Sequence, residues 1–317
     1  MKPNSAQESI AMFDLQHYLD NNIQLINTAL DQRLPAETER PAALHKAMRY
    51  SVFAGGKRLR PLLCLAAVEA IGRADTSDLA DTSGLANATA LTTALAIEIL
   101  HTYTLIHDDL PSMDDDALRR SQPTLHIVAG EANAILAGDA LLTLAFEWLA
   151  EVRAPPPYPP NQLSLELARA AGSRGVVGGQ AEDLAAEGRA ADPDMVDYIH
   201  RHKTAALLCA SVRMGGIAAG AGTRALAALT AYGNAIGLAF QITDDILNET
   251  STAATLGKAV GSDRRRGKMT FITVHGLERA RTRAEQLKQE ALAALDALPH
   301  SQEPLATLAR FITERTH

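Results

Sequence analysis

Apolar residues recur at helical spacing almost from end to end of this 317-residue chain, and alternating β-branched stretches are missing. Ala and Leu are abundant and aromatic residues make up only 4%. Such a rhythm restricts the chain to an all-α fold. Helices are expected at about 6–31, 40–53, 59–72, 85–108, 117–129, 132–151, 161–174, 193–219, 223–247, 270–297 and 303–315. Gly55-Gly56, Gly72, Pro111, Gly130, Gly188 and Gly261 punctuate them. The segment from Ala154 to Pro160, with five prolines in seven residues, is either a stiff domain connector or a surface loop. The loop is preferred, because acidic clusters on either side of it would have to face one pocket.

Bulk properties exclude several classes. At 47% hydrophobic and 21% charged residues, the chain can bury a sizeable core. A formal net charge of −7 gives no reason to expect nucleic acid or an anionic membrane as partner. Cys64 and Cys209 sit in apolar runs and read as buried small side chains. The N-terminal residues lack the apolar core of a signal peptide, and no run of about eighteen uncharged apolar residues marks a membrane span. A cytoplasmic protein without stable membrane insertion is expected.

Chemistry concentrates in two acidic clusters. The first closes an apolar helix: Asp108, Asp109, Asp114, Asp115 and Asp116 place five carboxylates within nine residues. They repel one another at the negative end of a helix dipole, a penalty that a bound cation would reverse and a solvated loop would merely tolerate. In the second, Gln241, Asp244, Asp245 and Asn248 fall at i, i+3, i+4 and i+7, one stripe of an otherwise apolar helix. Carboxylates at such an edge need partners, and an oxygen-only donor set suits Mg²⁺. Cations gather elsewhere: Lys57 and Arg60 beyond the Gly-Gly turn, Arg119-Arg120 after the first cluster, Lys203 in HRHKT, and Lys258 to Lys268 around three arginines. Each alone could be a solvated surface run. His101 lies seven residues before Asp108, on the same helical face, where a packed core histidine is the alternative.

Taken in order, GGKRLRP, HTYTLIHDDLPSMDDDALRR, GGQ, HKTA, FQITDDILN and GKMTF resemble the trans-prenyl diphosphate synthases, over roughly residues 45–275, and most of all the bacterial farnesyl type. The resemblance implies a single-domain helical bundle of the isoprenoid synthase type, built around a deep central cavity and usually a homodimer. It implies that Asp108, Asp114 and Asp244 hold Mg²⁺, with Asp109 and Asp245 in support. Arg119, Lys203, Lys258 and Lys268 would contact the allylic diphosphate; Lys57, Arg60, His101 and Arg120 would bind isopentenyl diphosphate; Lys203, Thr204 and Gln241 would offer dipoles to the allylic cation. Tyr103, five residues before the first motif, would floor the elongation cavity and stop the product at fifteen carbons, with ten or twenty as alternatives. Asp108 and Asp114 are six residues apart, about 120° on an unbroken helix; Pro111 lets the chain bulge, whereas a straight helix would favour Asp115. Asn248 departs from the family's usual third aspartate. A terpene cyclase would not need Lys57, Arg60 and His101, and a non-catalytic partner subunit should have lost its aspartates or cations.

Overall fold

The computed structural model describes residues 13–72, 85–250 and 268–315. Fourteen α-helices and one short hairpin run through the described residues. Helices α1 (Leu15–Arg33), α2 (Ala42–Phe53), α3 (Leu59–Ile71) and α4 (Leu85–Asp108) precede the hairpin β1 (Leu118–Arg119) and β2 (Gln122–Pro123). Then follow α5 (Leu125–Ala129), α6 (Glu131–Ala150), α7 (Gln162–Ala171), α8 (Val176–Ala186) and α9 (Pro193–Ile199). A π-helical turn, His200–Ala205, joins α9 to α10 (Ala206–Ala218); α11 (Thr223–Thr250), α12 (Phe271–His275), α13 (Leu277–Leu295) and α14 (Glu303–Glu314) complete the order.

Helix α3 is apolar on nearly every face, from Pro61 to Ala70 interrupted only by Glu69, so it must be surrounded. It packs between α4 and α10; α4 packs in turn on α6, and α10 on α11, which lies against α13. Leu62, Leu63, Ile97, Leu100 and Leu141 are fully buried where these helices meet. The Tyr232 hydroxyl donates to the Leu305 carbonyl at 2.7 Å and ties α11 to α14. One apolar cluster includes Leu149, Ala154 and Leu163, so the proline segment does not divide the core. That segment closes on itself through the Ala154 amide and the Pro160 carbonyl at 3.1 Å. By length and composition α4, α6 and α11 could each cross a membrane, yet 83% of the apolar window of α4 is buried within the fold.

Four expectations need correction. Residues 117–129 are not one helix: Arg120 and Ser121 take positive φ, Pro123 lacks an amide, and a hairpin precedes the short α5. The expected helix 193–219 is interrupted by the π turn, and 270–297 by Gly276 at φ 81°. Helix α8 was not expected at all, because two glycines in VVGGQAEDLAA weaken its helical signal. Its packing explains them: a Cβ on Gly179 would lie 2.1 Å from the Lys203 amide nitrogen, so α8 can meet the π turn only without one.

Candidate functional site

A cavity of about 780 Å³ opens between the C-terminal ends of α4 and α11, closed on its other sides by α8, the π turn and the chain at Lys268. Helix α4 stops at Asp108, and the following loop folds back so that the Asp114 amide donates to the Asp108 carbonyl at 2.9 Å. Pro111 cannot continue the helix, and Asp115 takes φ 48°. In this loop Asp114 is buried and lines the cavity, while Asp115 is exposed. Burial, and then the neighbouring Asp114, push the Asp108 carboxyl above its ordinary range despite Lys203.

Lysines stand between these carboxylates. Lys268 Nζ donates to Asp114 Oδ1 at 2.8 Å and lies 3.6 Å from Asp183 Oδ2. Lys203 Nζ donates to the same Asp183 oxygen at 2.7 Å and lies 3.8 Å from Asp108 Oδ1. The surrounding carboxylates outweigh burial and raise the Lys268 pKa, so this ammonium is charged at any ordinary pH. Asp183 is the residue that sequence reasoning missed. Its only signal was a carboxylate three residues past the glutamine of GGQ, on a helix that was itself unrecognised.

Across the cavity the donors and acceptors of α11 form a chain. The Thr204 hydroxyl donates to Gln241 Oε1 at 2.7 Å, and Gln241 Nε2 donates to Asp245 Oδ1 at 2.9 Å. Because a carboxylate only accepts, Asp245 fixes which end of the Gln241 amide faces Thr204. Its second oxygen takes the Phe271 amide at 2.8 Å, with His200 Nε2 at 3.5 Å. Burial pushes the His200 pKa down to about 4, so the imidazole is neutral near pH 7. Asp244, next along the stripe, is held by Arg315 Nη2 at 2.6 Å, and Asn248 also lines the cavity.

The Gly-Gly turn has a different centre from the one spacing suggested. Arg58, with both partners only 3% exposed at the side chain, binds Glu98 Oε1 at 2.8 Å; it also reaches Asn27 and the Val52 carbonyl. These bonds hold it at φ 49°, a backbone state that a non-glycine residue rarely adopts. The flanking cations are placed by it. Arg60 Nη1 lies 3.0 Å from His101 Nε2, and burial together with Arg60 keeps His101 far below its ordinary pKa. His101 is therefore a neutral acceptor that aims Arg60, not a cation itself. Lys57 extends over the Phe311 ring rather than into the lining. Arg120 bonds the Gly55 carbonyl, and Gly56 takes φ 124°, a backbone state that explains the glycine. Arg119 is engaged at both Nε and Nη2 by Asp109.

Tyr103 is buried on the cavity wall, edge-on to His107 at 5.1 Å between ring centroids. Lys258 lies outside the described residues. Among the described residues no three His, Cys, Asp or Glu side chains converge at metal-holding distance. The donor set nevertheless fits Mg²⁺ carried with a polyanion: carboxylate oxygens on two facing helices, and two buried donors without partners, Arg60 Nε and Gln180 Nε2, at the lining.

Comparison with known proteins accounts for this arrangement. Residues 41–302 match the polyprenyl synthetase family model. Farnesyl diphosphate synthase of Escherichia coli (strain K12) is 42% identical over 308 residues, covering 95% of this chain and 99% of the relative. Geranylgeranyl pyrophosphate synthase 4 of Arabidopsis thaliana is 41% identical over 309 residues, with coverage of 96% and 79%. Among solved structures, geranylgeranyl pyrophosphate synthetase from Pyrococcus horikoshii Ot3 superposes with a TM-score of 0.81 at 32% identity, covering 95% of this chain and 98% of that one. The geranyltransferase from Helicobacter pylori complexed with magnesium and isoprenyl diphosphate gives 0.78 at 34% identity, covering 96% and 98%. With aspartates, lysines and neutral dipoles gathered on one cavity, the chain belongs to the polyprenyl synthetase family and is a prenyl diphosphate synthase.

Proposed function

We propose that the protein condenses an allylic diphosphate, dimethylallyl then geranyl, with isopentenyl diphosphate and stops at farnesyl diphosphate. The observation that carries the chain length is Tyr103, buried on the cavity wall five residues before Asp108 and braced by His107. Standing on that wall, its ring would block a growing chain. A twenty-carbon product is the second reading, favoured by the similarity to the plant geranylgeranyl synthases.

Asp108, Asp114 and Asp244 would hold Mg²⁺, which when bound neutralises the diphosphate oxygens of the leaving group. Lys203 and Lys268 lie on the lining beside those carboxylates and would meet the same diphosphate, stabilising the charge that builds as its C–O bond breaks. The electron pair of that bond leaves with pyrophosphate. The allylic cation left behind faces Thr204 Oγ1, whose proton is already donated to Gln241, so its lone pairs are free to face positive charge. Neither group is a strong enough nucleophile to trap the cation. Arg60, aimed by His101, and Arg120 would orient isopentenyl diphosphate so that its double bond attacks the cation. The proton lost afterwards goes to the released pyrophosphate.

Incubation of the protein with MgCl₂, dimethylallyl diphosphate and isopentenyl diphosphate, followed by chromatography of the dephosphorylated products, tests the reading. Farnesol as main product is expected; geranylgeraniol would replace it with the second reading, and no condensation product would refute both. The same reading includes a cytoplasmic homodimer. Supporting the dimer, the adjoining helices α5 and α6 expose Ile127, Val128, Ile135 and Leu136 at 43–58%. Sedimentation should give a dimer in the wild type and a monomer in Leu136→Glu; a monomeric wild type would overturn the assembly.

A further inference from the structure

The π turn has two sides. His200, Lys203 and Thr204 line the catalytic cavity, whereas Arg201 and His202 line a second, separate groove of about 330 Å³ on the outer side. Helix α11 is shared in the same way, with Asn234 and Leu238 on the outer groove and Phe240 and Gln241 on the catalytic side. Four arginines, Arg169, Arg174, Arg201 and Arg213, line the outer groove. Among the described residues two carboxylates are bonded to them, and Glu166 also feels the Arg169 charge. Glu166 is gripped by Arg213 at 2.8 and 2.9 Å, and Asp197 is bonded by Arg201 at 2.5 Å. Among the described residues, neither Arg169 nor Arg174 has a hydrogen bond or a close ion pair, although both line the groove. Two like charges beside two paired ones repel, and an exposed lining lowers that cost by hydration without removing it. An anion would reverse it.

We propose that this groove is a second anion site, taking the phosphate chain of a soluble oligophosphate between Arg169 and Arg174, and that its occupancy acts on Lys203 through the shared turn. Guanidinium forks match tetrahedral phosphate oxygens two at a time, which a single carboxylate between two separated arginines would not satisfy. The turn is suited to transmit the event, since its i to i+5 bonding carries one more residue per turn than the α-helices it joins. An anion drawing on Arg201 moves the same six-residue turn that carries Lys203 and Thr204. The effect on turnover rests on the function proposed above, but the binding does not.

The test is isothermal titration of the full-length protein with sodium tripolyphosphate in EDTA. Three proteins are compared: wild type, Arg169→Ala/Arg174→Ala, and Lys203→Ala/Lys268→Ala. One saturable event should survive in the lysine variant and weaken at least tenfold in the arginine variant. Equal affinity in wild type and arginine variant, or no binding, overturns the site. Prenyl transfer at fixed free Mg²⁺ should then change at least twofold with tripolyphosphate in the wild type alone, the arginine variant keeping its basal rate. An equal response in both proteins, with binding intact, overturns the coupling and leaves the proposed synthase activity standing.

Discussion

Changing Glu98 to Gln removes the carboxylate that, among the described residues, is bonded to Arg58, and keeps the shape of the side chain. Both partners are 3% exposed and 2.8 Å apart, so the guanidinium would be left charged in the interior. Breaking such a pair from one side costs about 3–5 kcal/mol. With an unfolding entropy of about 2.1 cal/mol/K per residue, a loss of about 4 kcal/mol lowers the Tm of a chain of this size by about 6 °C. The consequence for function follows from where Arg58 sits, between Lys57 and Arg60 and in a left-handed backbone state. Released from Glu98, the turn relaxes, and KM for isopentenyl diphosphate should rise about tenfold, a loss of about 1.4 kcal/mol, while KM for the allylic substrate stays within twofold. Differential scanning calorimetry and steady-state kinetics read the two effects. Adding Arg58→Met should restore most of the Tm, because an apolar replacement leaves no buried charge, but should not restore KM. A Tm within 1 °C of wild type in Glu98→Gln, or an unchanged KM beside a lowered Tm, would refute the reasoning.

Tyr103→Ala should shift the main product from fifteen to twenty carbons or more; an unchanged product distribution would make Tyr103 simple core packing. Asp245→Asn leaves one acceptor for two donors, the Gln241 amide and the Phe271 amide, so kcat should fall about tenfold at unchanged Mg²⁺ dependence; an undiminished kcat would contradict the orienting role. His200 titrates near 4 in the fold against 6.5 unfolded, so below pH 6.5 the unfolded state binds the proton first. Stability should therefore be fully present above pH 6.5 and decline toward pH 4, and Tm in His200→Gln should depend less on pH in that window; parallel curves would sink this. Asp183→Asn should weaken the hold on Lys203 and Lys268 and raise the affinity for pyrophosphate without Mg²⁺ severalfold, as titration calorimetry would show; weaker binding would falsify it.

What was legible in the sequence depended on periodicity and on residues whose chemistry is unusual for their setting. The long helices were readable because each carries a stripe or a full surface of apolar residues, as α3 and α4 do. The two acidic clusters were readable because charge at the edge of an apolar helix has few explanations. Lost were features decided by contacts distant in the chain. Helix α8 is helical because Gly179 lets it reach the Lys203 backbone, a reason invisible in eleven residues read alone. Arg58 drew no role from GGKRLRP, where Lys57 and Arg60 were the candidates, and only its bond to Glu98, forty residues away, makes it an anchor. Arg119, expected at a diphosphate, is engaged by Asp109 at two nitrogens, a contact that the chain order alone left as one of two readings.

The interleaving of lysines and aspartates also bears on the order of events in the cavity. Three carboxylates, of Asp108, Asp114 and Asp183, share two ammonium groups, of Lys203 and Lys268. Without such sharing the buried carboxylates would repel one another and one would protonate. A diphosphate offers the lysines more negative charge than any single aspartate does. In the proposed reaction, lysines turning toward it would leave Asp108 and Asp114 without their counter-charges, and so better able to hold a divalent cation. By linkage, cation and polyanion would then each raise the affinity of the other by the same factor. Asp183 would set the size of that factor, because among the described residues it is the carboxylate that touches both lysines.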